Sequence, residues 1–402
     1  MSSSLVNLGD ALRSARVFTD GDWVESKDQD VDGDVRLVQL ADVGDGVFID
    51  KSSRHLTSEK ATELRCTFLD QGDILIARMP DPLGRACIFP GSAGPSVTVV
   101  DVCIVRPNPD EHDPRWLMHC LNSPVMRRQV ANYATGSTRS RISRGNLAKV
   151  RITVPPLVEQ RRIAAILDQA DALRAKRREA LAHFDDLTQS IFLDMFGDPG
   201  KNEREWPLRP MSELFRSSPN YGTMIPGTEE PRPWLCLRVA NIQGWALDLT
   251  STKYVRLPPE AVERHGVLDG DMLLARAIAS EDHLGKSVVV HPGSEHWAFD
   301  SHLMRLRFDP AQARPEFIRQ LLRTPGGRAR FLAVTRRSAV QFNINTKEIR
   351  GLELPIPPME AQVDFLERVA AVESVRALAR LQSQDLDSLY ASLQARAFSG
   401  RL

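Results

Sequence analysis

Residues 154–163 read VPPLVEQRRI, and residues 356–365 read IPPMEAQVDF. Each stretch sets an aliphatic residue before Pro-Pro, then a Glu and a Gln, then a long amphipathic run. The echo widens on either side. QGDILIAR (71–78) matches DGDMLLAR (269–276), and LGRACIF (83–89) matches LGKSVVV (284–290). LVQLADVGDG (37–46) resembles CLRVANIQGW (236–245), and WLMHCLNSP (116–124) resembles FIRQLLRTP (317–325). LVNLGDAL (5–12) resembles LRPMSELF (208–215). All the matches are collinear, with offsets of 198 to 203, so the chain is a duplicate of itself. A period near 200 is too long for a solenoid unit, so each repeat is a domain plus something more.

The first ~150 residues of each repeat read as a mixed domain. Short β-like runs such as VRLVQL, DILIAR and SVTVVDVCIV are bounded by Gly, Pro and Asp, and one helix-like stretch, PRWLMHCLNSPVMRRQVANYA, follows. The last ~40 residues differ. Residues 158–196 contain no Gly or Pro; Pro155 and Pro156 stand where a helix can begin, and Gly197-Asp198-Pro199 is a stop. Ile163, Ile166, Ala170, Leu173, Arg177, Ala180, Phe184, Leu187 and Ile191 alternate at spacings of 3 and 4, a heptad seam with one polar intruder. The second copy offers Phe365, Arg368, Val372, Val375, Ala379, Gln382, Leu386, Leu389 and Leu393. A period held this long asks for a partner helix, and each seam is the obvious partner of the other.

The expected architecture is therefore α+β. Two pseudo-two-fold-related mixed domains, at 1–153 and 200–355, are joined by two long helices, at 154–199 and 356–402, which form an antiparallel coiled coil. From Ile163 to Ile191 such a rod measures about 43 Å, a little over one turn of B-DNA.

Composition excludes several classes. No apolar run reaches the ~18 residues of a membrane span, and MSSSLVNLGD lacks a secretory layout, so a cytoplasmic protein is expected. Five scattered cysteines without a C-x-x-C pair read as buried thiols, and the spacing of His291, His296 and His302 fits no usual zinc pattern. The net charge is zero, but its distribution is uneven. Residues 127–151 and 319–347 each carry seven Lys/Arg and no acid, whereas TDGDWVESKDQDVDGD (19–34) carries seven acids and one Lys. That acidic stretch is expected to face away from any polyanion.

VPPLVEQRRIAAILDQADALRAKRREALAHFDDLTQSIFLDMFGDP resembles the central conserved region of the specificity subunits of type I restriction-modification systems. GSTRSRISRGNLAKVRITVPP (136–156) is similar to that family's exit from a recognition domain. The second copy departs from the pattern, with Glu360-Ala361-Gln362 and no Arg-Arg. The resemblance implies two target-recognition domains, each reading half of a split asymmetric site in double-stranded DNA. It implies helices that space them and dock two methyltransferase subunits, with a restriction subunit able to join. It implies no catalysis and no cofactor on this chain; S-adenosylmethionine, and ATP and Mg²⁺ where a restriction subunit is present, belong to the partners.

The residues agree that catalytic signatures are missing. There is no G-x-x-x-x-G-K-[ST] loop and no Asp/Asn-Pro-Pro-aromatic tetrad. A nuclease set could be forced from Asp271, Glu281 and Lys286, but the first repeat lacks that set of residues as a whole.

DNA recognition needs Lys/Arg for phosphates and Arg, Asn or Gln for base edges. Aligning Ile142 with Ile344 pairs Arg139 with Gln341, Arg141 with Asn343, and Ser143 with Asn345. Alternate residues of an extended loop project to one side, so 138–144 (including Thr138) and 336–345 are the expected reading loops. Arg127, Arg128, Arg144, Arg328, Arg330, Arg336 and Arg337 are candidate phosphate contacts. Arg78 and Arg276 end equivalent Gly-Asp-apolar runs and read better as packed strand-end arginines. Glu159, Gln160, Arg161 and Arg162 form the candidate partner-docking face. The competing functional reading is a stand-alone two-headed DNA-binding regulator.

Overall fold

The computed structural model describes the chain except residues 1–3, 137–138, 279, 338–341, 400 and 402; the side chains of Ser4, Asp185, Arg336, Arg337 and Phe342 are likewise outside the description. It divides into two compact units, one formed by residues 1–179 and 380–402, the other by 180–379.

In the first unit the strands are β1 (Ser4–Asn7), β2 (Val17–Asp20), β3 (Val35–Val38), β4 (His55–Leu56), β5 (Ile74–Ala77), β6 (Ala86–Ile88), β7 (Ser96–Thr98) and β8 (Val102–Arg106). Helices α1 (Pro114–Leu121), α2 (Pro124–Asn132) and α3 (Arg144–Leu147) follow, then β9 (Arg151–Val154) and the 40-residue α4 (Leu157–Phe196). The second repeat supplies β10 (Leu208–Pro210), β11 (Phe215–Tyr221), β12 (Trp234–Leu237), β13 (Tyr254–Val255), β14 (Asp271–Ala275), β15 (Ser287–Val290), β16 (Trp297–Phe299) and β17 (Leu303–Phe308). Next come α5 (Pro315–Arg323), α6 (Pro325–Ala333), α7 (Thr346–Gly351), β18 (Glu353–Pro355) and α8 (Met359–Phe398).

The duplication holds at the level of strand order. The first unit has sheets β1-β9, β2-β8-β5-β6 and β4-β3-β7; the second has the matching β10-β18, β11-β17-β14-β15 and β13-β12-β16, and adds a hairpin of 242–243 with 246–247 and a three-stranded sheet of 277–278, 342–343 and 336–337. In both, the first strand of the domain pairs antiparallel with the last, and one pair (β3 with β7, β12 with β16) is parallel.

The echoed motifs are the joints of this frame. In QGDILIAR and DGDMLLAR the glycines, Gly72 and Gly270, have φ of +95° and +77°, a conformation glycine adopts without a Cβ penalty. The next residues, Asp73 and Asp271, are buried and clamp Arg106 and Arg307 bidentately at 2.7–2.8 Å. Each carboxylate also accepts a backbone N–H three residues earlier, from Asp70 and Leu268. These clamps are the strong, planar kind of charge-assisted bond. They also remove Asp271 from any metal-nuclease set: both of its oxygens are taken. In LGR and LGK, Gly84 and Gly285 again have positive φ, and a Cβ would strike Val130 or Phe331.

The single helix-like stretch is two helices. Ser123 and Thr324 precede prolines, which drives them to extended ψ of 150° and 151°, and their hydroxyls cap α2 and α6 by accepting from Met126 and Gly327 N–H.

Each long helix starts from its Pro-Pro and is welded to its own domain by a glutamine. Gln160 is 1% exposed; its oxygen accepts from Asp113 N–H, and its nitrogen donates to the carbonyls of Pro155 and Glu111. Gln362, 0% exposed, accepts from Arg314 N–H and donates to the Pro357 carbonyl. This aligns Gln160 with Gln362 and explains the shifted Glu in the second copy, since only the glutamine has a fixed job. Gly197, at φ +73°, ends α4 by donating to the Leu193 carbonyl.

The helices pair antiparallel. In the first unit Ile163, Ala164 and Leu167 share a core with Tyr390, Leu393 and Ala397, while Arg174 binds Asp387 at 2.6 Å and lies 4.3 Å over the Tyr390 ring. In the second, Phe192 and Phe196 pack against Phe365 and Phe317. The seam is not the expected one. Ile163, Phe365 and Ala379 are buried as read, but Leu173, Leu187, Val375 and Leu389 are 45–55% exposed, and Leu167, Thr188, Phe192 and Gln394 take buried places instead. The interface admits polar groups, so counting aliphatic residues chose a face rotated from the true one.

No helix among the described residues is long and apolar enough to cross a membrane. All five cysteines are buried free thiols, and burial pushes Cys66 up to about 11 and Cys87 up to about 12.

Removing one partner of a buried ion pair strands the other. Asp271→Ala should therefore cost about 3–5 kcal/mol in the stability of the second unit. Denaturant unfolding followed through Trp234 and Trp297, both in that unit, measures it; an unchanged midpoint would refute the clamp.

Candidate nucleic-acid interface

The two expected reading loops rise from mounts that share one backbone bond and a strand-end arginine. Ile142 and Ile344, both fully buried, donate their N–H groups to the carbonyls of Arg78 (3.1 Å) and Arg276 (3.0 Å). The Arg78 side chain returns bonds to the carbonyls of Ile142 (3.0 Å) and Val100 (2.9 Å) and pairs with Asp20 at 2.8 Å. The Arg276 side chain donates to the Ser301 carbonyl (2.9 Å) and lies over the Tyr221 ring. These arginines are packed fasteners, as their strand-end positions suggested. One residue before each isoleucine, the backbone is held again. Arg141 exchanges two 2.8 Å hydrogen bonds with Thr135, and residues 342–343 pair with 336–337.

On these mounts the sequence-predicted residues separate into two groups. Ser143 and Asn345 are N-caps: they accept from Asn146 and Glu348 N–H and start α3 and α7. Their expected role at base edges gives way to helix capping, a stronger local demand. Arg127 donates to the Leu83 carbonyl, Asp45 and Asn122, and burial lowers its guanidinium from the ordinary value. Arg328 donates to the carbonyls of Leu284 and Glu281, and Arg330 to those of Pro199 and Gly200. These three arginines are spent holding loops together, which corrects their assignment to phosphates.

The other group faces outward. Arg128 and Arg139 are exposed, and so is Arg144, which also donates to the Phe18 carbonyl. Arg141 is 41% exposed and pairs with Asp101 at 2.8 Å. Asn343 accepts from Arg276 at 3.1 Å. Thr138 and Gln341 lie outside the described residues, as do the side chains of Arg336 and Arg337.

Arg141 borders a cleft of ≈ 660 Å³ that also takes in Trp23, Glu25, Gln39, Arg54 and Asp101. Part of the acidic stretch 19–34 thus shares a wall with the basic loop rather than turning away from it. Arg78 draws it there through Asp20, and Asp22 is anchored by accepting from Thr67 N–H, with burial raising its carboxyl. Trp23 is 68% exposed, with its N–H on Glu25. Asp101 and Arg54 carried no signal in the sequence: they stand 40 and 87 residues from Arg141 and reach it only through the fold. An exposed tryptophan inside an acidic run was the one available hint.

On α4, Gln160 is buried and cannot meet a partner. Glu159 and Arg162 bind each other at 2.7 Å, and Arg161 is exposed. The exposed apolar residues of the long helices, among them Leu173 and Leu389 in the first unit, are the surface that the seam reading missed.

Residues 24–183 match the family described as the type I restriction modification DNA specificity domain. The chain is 21% identical over 313 residues to the type I restriction enzyme EcoKI specificity subunit of Escherichia coli (strain K12), covering 71% of this chain and 65% of that one. It is 22% identical over 304 residues to the StySPI specificity subunit of Salmonella potsdam, covering 72% and 65%. The match thus spans just under two thirds of the length of these relatives. Among solved structures, a chain from work on the "complex assembly" and "conformational transition of the type I R-M system" aligns with a TM-score of 0.63 at 16% identity, covering 100% of this chain and 98% of that one. The type I restriction-modification S subunit of M. genitalium aligns with a TM-score of 0.52 at 12% identity, covering 99% and 96%. At these identities the likeness is one of fold.

If Ser143 and Asn345 are caps, Ser143→Ala and Asn345→Ala should each cost about 0.5–2 kcal/mol of stability and leave DNA sequence preference untouched. Thermal unfolding beside a binding assay separates the two; a changed base preference would return them to the reading face.

Proposed function

We propose that the chain is a specificity subunit of a type I restriction-modification system, as the family match and the similar subunits support, and that it selects DNA sequence for a modification complex and has no chemistry of its own. Each domain reads one half of a split, asymmetric site in double-stranded DNA. The long helices dock two methyltransferase subunits, and a restriction subunit can join. S-adenosylmethionine, and ATP and Mg²⁺ for restriction, are bound by those partners.

One observation carries the reading. The two units repeat the same mount, Arg78–Ile142 and Arg276–Ile344, yet present different side chains on it: Arg141 in one, Asn343 in the other. Arg suits guanine edges and Asn suits adenine edges, so equal scaffolds with unequal tips suit unequal half-sites. Arg128, Arg139 and Arg144 supply exposed charge for phosphates in the first domain. The neutral net charge supports a protein that binds DNA weakly until partners add contacts.

The exposed leucines of the helices favour this reading over a stand-alone regulator. Leu173 and Leu389 are half-exposed on the first unit's part of α4 and α8, where a single-chain DNA binder has no use for apolar surface.

Mapping methylated adenines in the host genome tests the function: a bipartite motif with two unlike halves is expected, and a continuous motif or none would overturn it. In the assembled methyltransferase, Arg141→Ala should cost about 1–3 kcal/mol and relax one base position in one half-site. Leu173→Asp with Leu389→Asp should reduce co-purification of the methyltransferase subunit while the helical circular dichroism stays unchanged. Undiminished association would remove the helices as the docking surface.

A further inference from the structure

We infer that Asp101 is a positioning residue: it holds the Arg141 guanidinium in the orientation that reads a guanine edge, and so sets specificity at that position without touching DNA itself. The inference rests on the DNA-reading function proposed above and names a determinant of it.

The geometry favours this over a pair that serves stability. The two side chains are 41% and 33% exposed, and ion pairs so open to water contribute little to folding. Both are nevertheless held with unusual care. Asp101 sits in the turn between β7 and β8, where its carbonyl accepts the Arg78 N–H at 2.9 Å. The Arg141 backbone is fixed by its two hydrogen bonds with Thr135 and by the Ile142 N–H donating to the Arg78 carbonyl. A single buried arginine, Arg78, therefore fixes the backbone beneath both members of the pair. Nothing in the fold of the domain requires the two side chains to meet; the mount brings them together.

A guanidinium has five N–H donors in a planar fork. Asp101 engages Nη2 of Arg141 at 2.8 Å, the Nε is buried, and the residue lines the cleft that Trp23, Gln39 and Arg54 border. A free arginine must surrender much side-chain freedom to make two bonds to one base. An arginine already oriented by a carboxylate has surrendered it beforehand, so the right base gains and the wrong base meets a donor that cannot swing aside. The second domain carries a parallel arrangement. Arg276, the fastener itself, donates to the Asn343 oxygen at 3.1 Å, which leaves the amide nitrogen as the group's donor. Each reading side chain thus has an orienting partner of matching chemistry behind it.

The test uses the full chain assembled with its methyltransferase subunits. The probes are duplexes bearing the mapped site and every single-base substitution in each half. Wild type, Asp101→Ala, Asp101→Glu, Arg141→Ala and the Asp101→Ala/Arg141→Ala double variant are compared. Asp101→Ala should lose discrimination at the same base pair as Arg141→Ala, by about 5- to 100-fold, the range a bidentate contact supports. The other half-site should be unaffected, the melting temperature unchanged, and Asp101→Glu should recover part of the loss. The double variant should be no worse than Arg141→Ala alone. Unchanged discrimination in Asp101→Ala, a loss at a different base pair, or additive losses in the double variant would overturn the inference while leaving the function standing. A wild-type complex with no split site would overturn both.

Discussion

One buried amide in each unit, Gln160 or Gln362, is the constraint on which the rest of the structure hangs. A helix of 40 residues leaves each domain through two prolines, which carry no N–H, and the first backbone bonds of its opening turn, from Glu159 and Gln160 to Pro156 and from Ala361 and Gln362 to Pro358, stay within that turn. The glutamine supplies the connection. It grips a proline carbonyl behind it and the N–H at the start of α1 or α5 ahead of it, out of reach of water. Buried amides of this kind are expensive to leave unsatisfied, so the helix has one way to leave its domain. Within each unit, that fixed departure lets the start of one long helix meet the end of the other. It also lets the aromatic cluster of Phe192, Phe196, Phe317 and Phe365 close over the junction.

The same economy governs the reading loops. Arg78 and Arg276 each fasten a strand end to a loop largely through backbone atoms, whose bonding does not depend on side-chain identity, although Arg78 also pairs with Asp20 and Arg276 with the Asn343 side chain. Residues projecting from the loop are then free to differ. This explains how two domains can share strand order and turn glycines and yet present arginine in one place and asparagine in the other. The acidic wall beside Arg141 adds that positive charge here is aimed, not spread.

Much of the frame was legible because its signals are local. The doubled Pro-Pro, the Gly-Asp turns and the Gly197 stop each act within a few residues, and a collinear echo exposes the duplication. The seam was not legible. Leu173, Leu187 and Leu389 make the more hydrophobic stripe, but the packed face includes Arg174 stacked on Tyr390, and Thr188 and Gln394, whose burial depends on partners from distant segments. Likewise Ser143 and Asn345 occupy matching positions as the alignment required, but their hydroxyl and amide are turned to capping.

By itself the sequence determined two copies of one α+β domain, each ending in a long helix, and the boundary at which domain becomes helix. It did so because proline, glycine and helical periodicity limit the backbone wherever they occur. Tertiary structure alone decided which arginines are free. Arg127, Arg328 and Arg330 look no different in a sequence from Arg128 and Arg139, but carbonyls brought from 44 to 131 residues away consume the first three. It also decided that Arg141 stands against Asp101, because only the fold brings together two charges 40 residues apart.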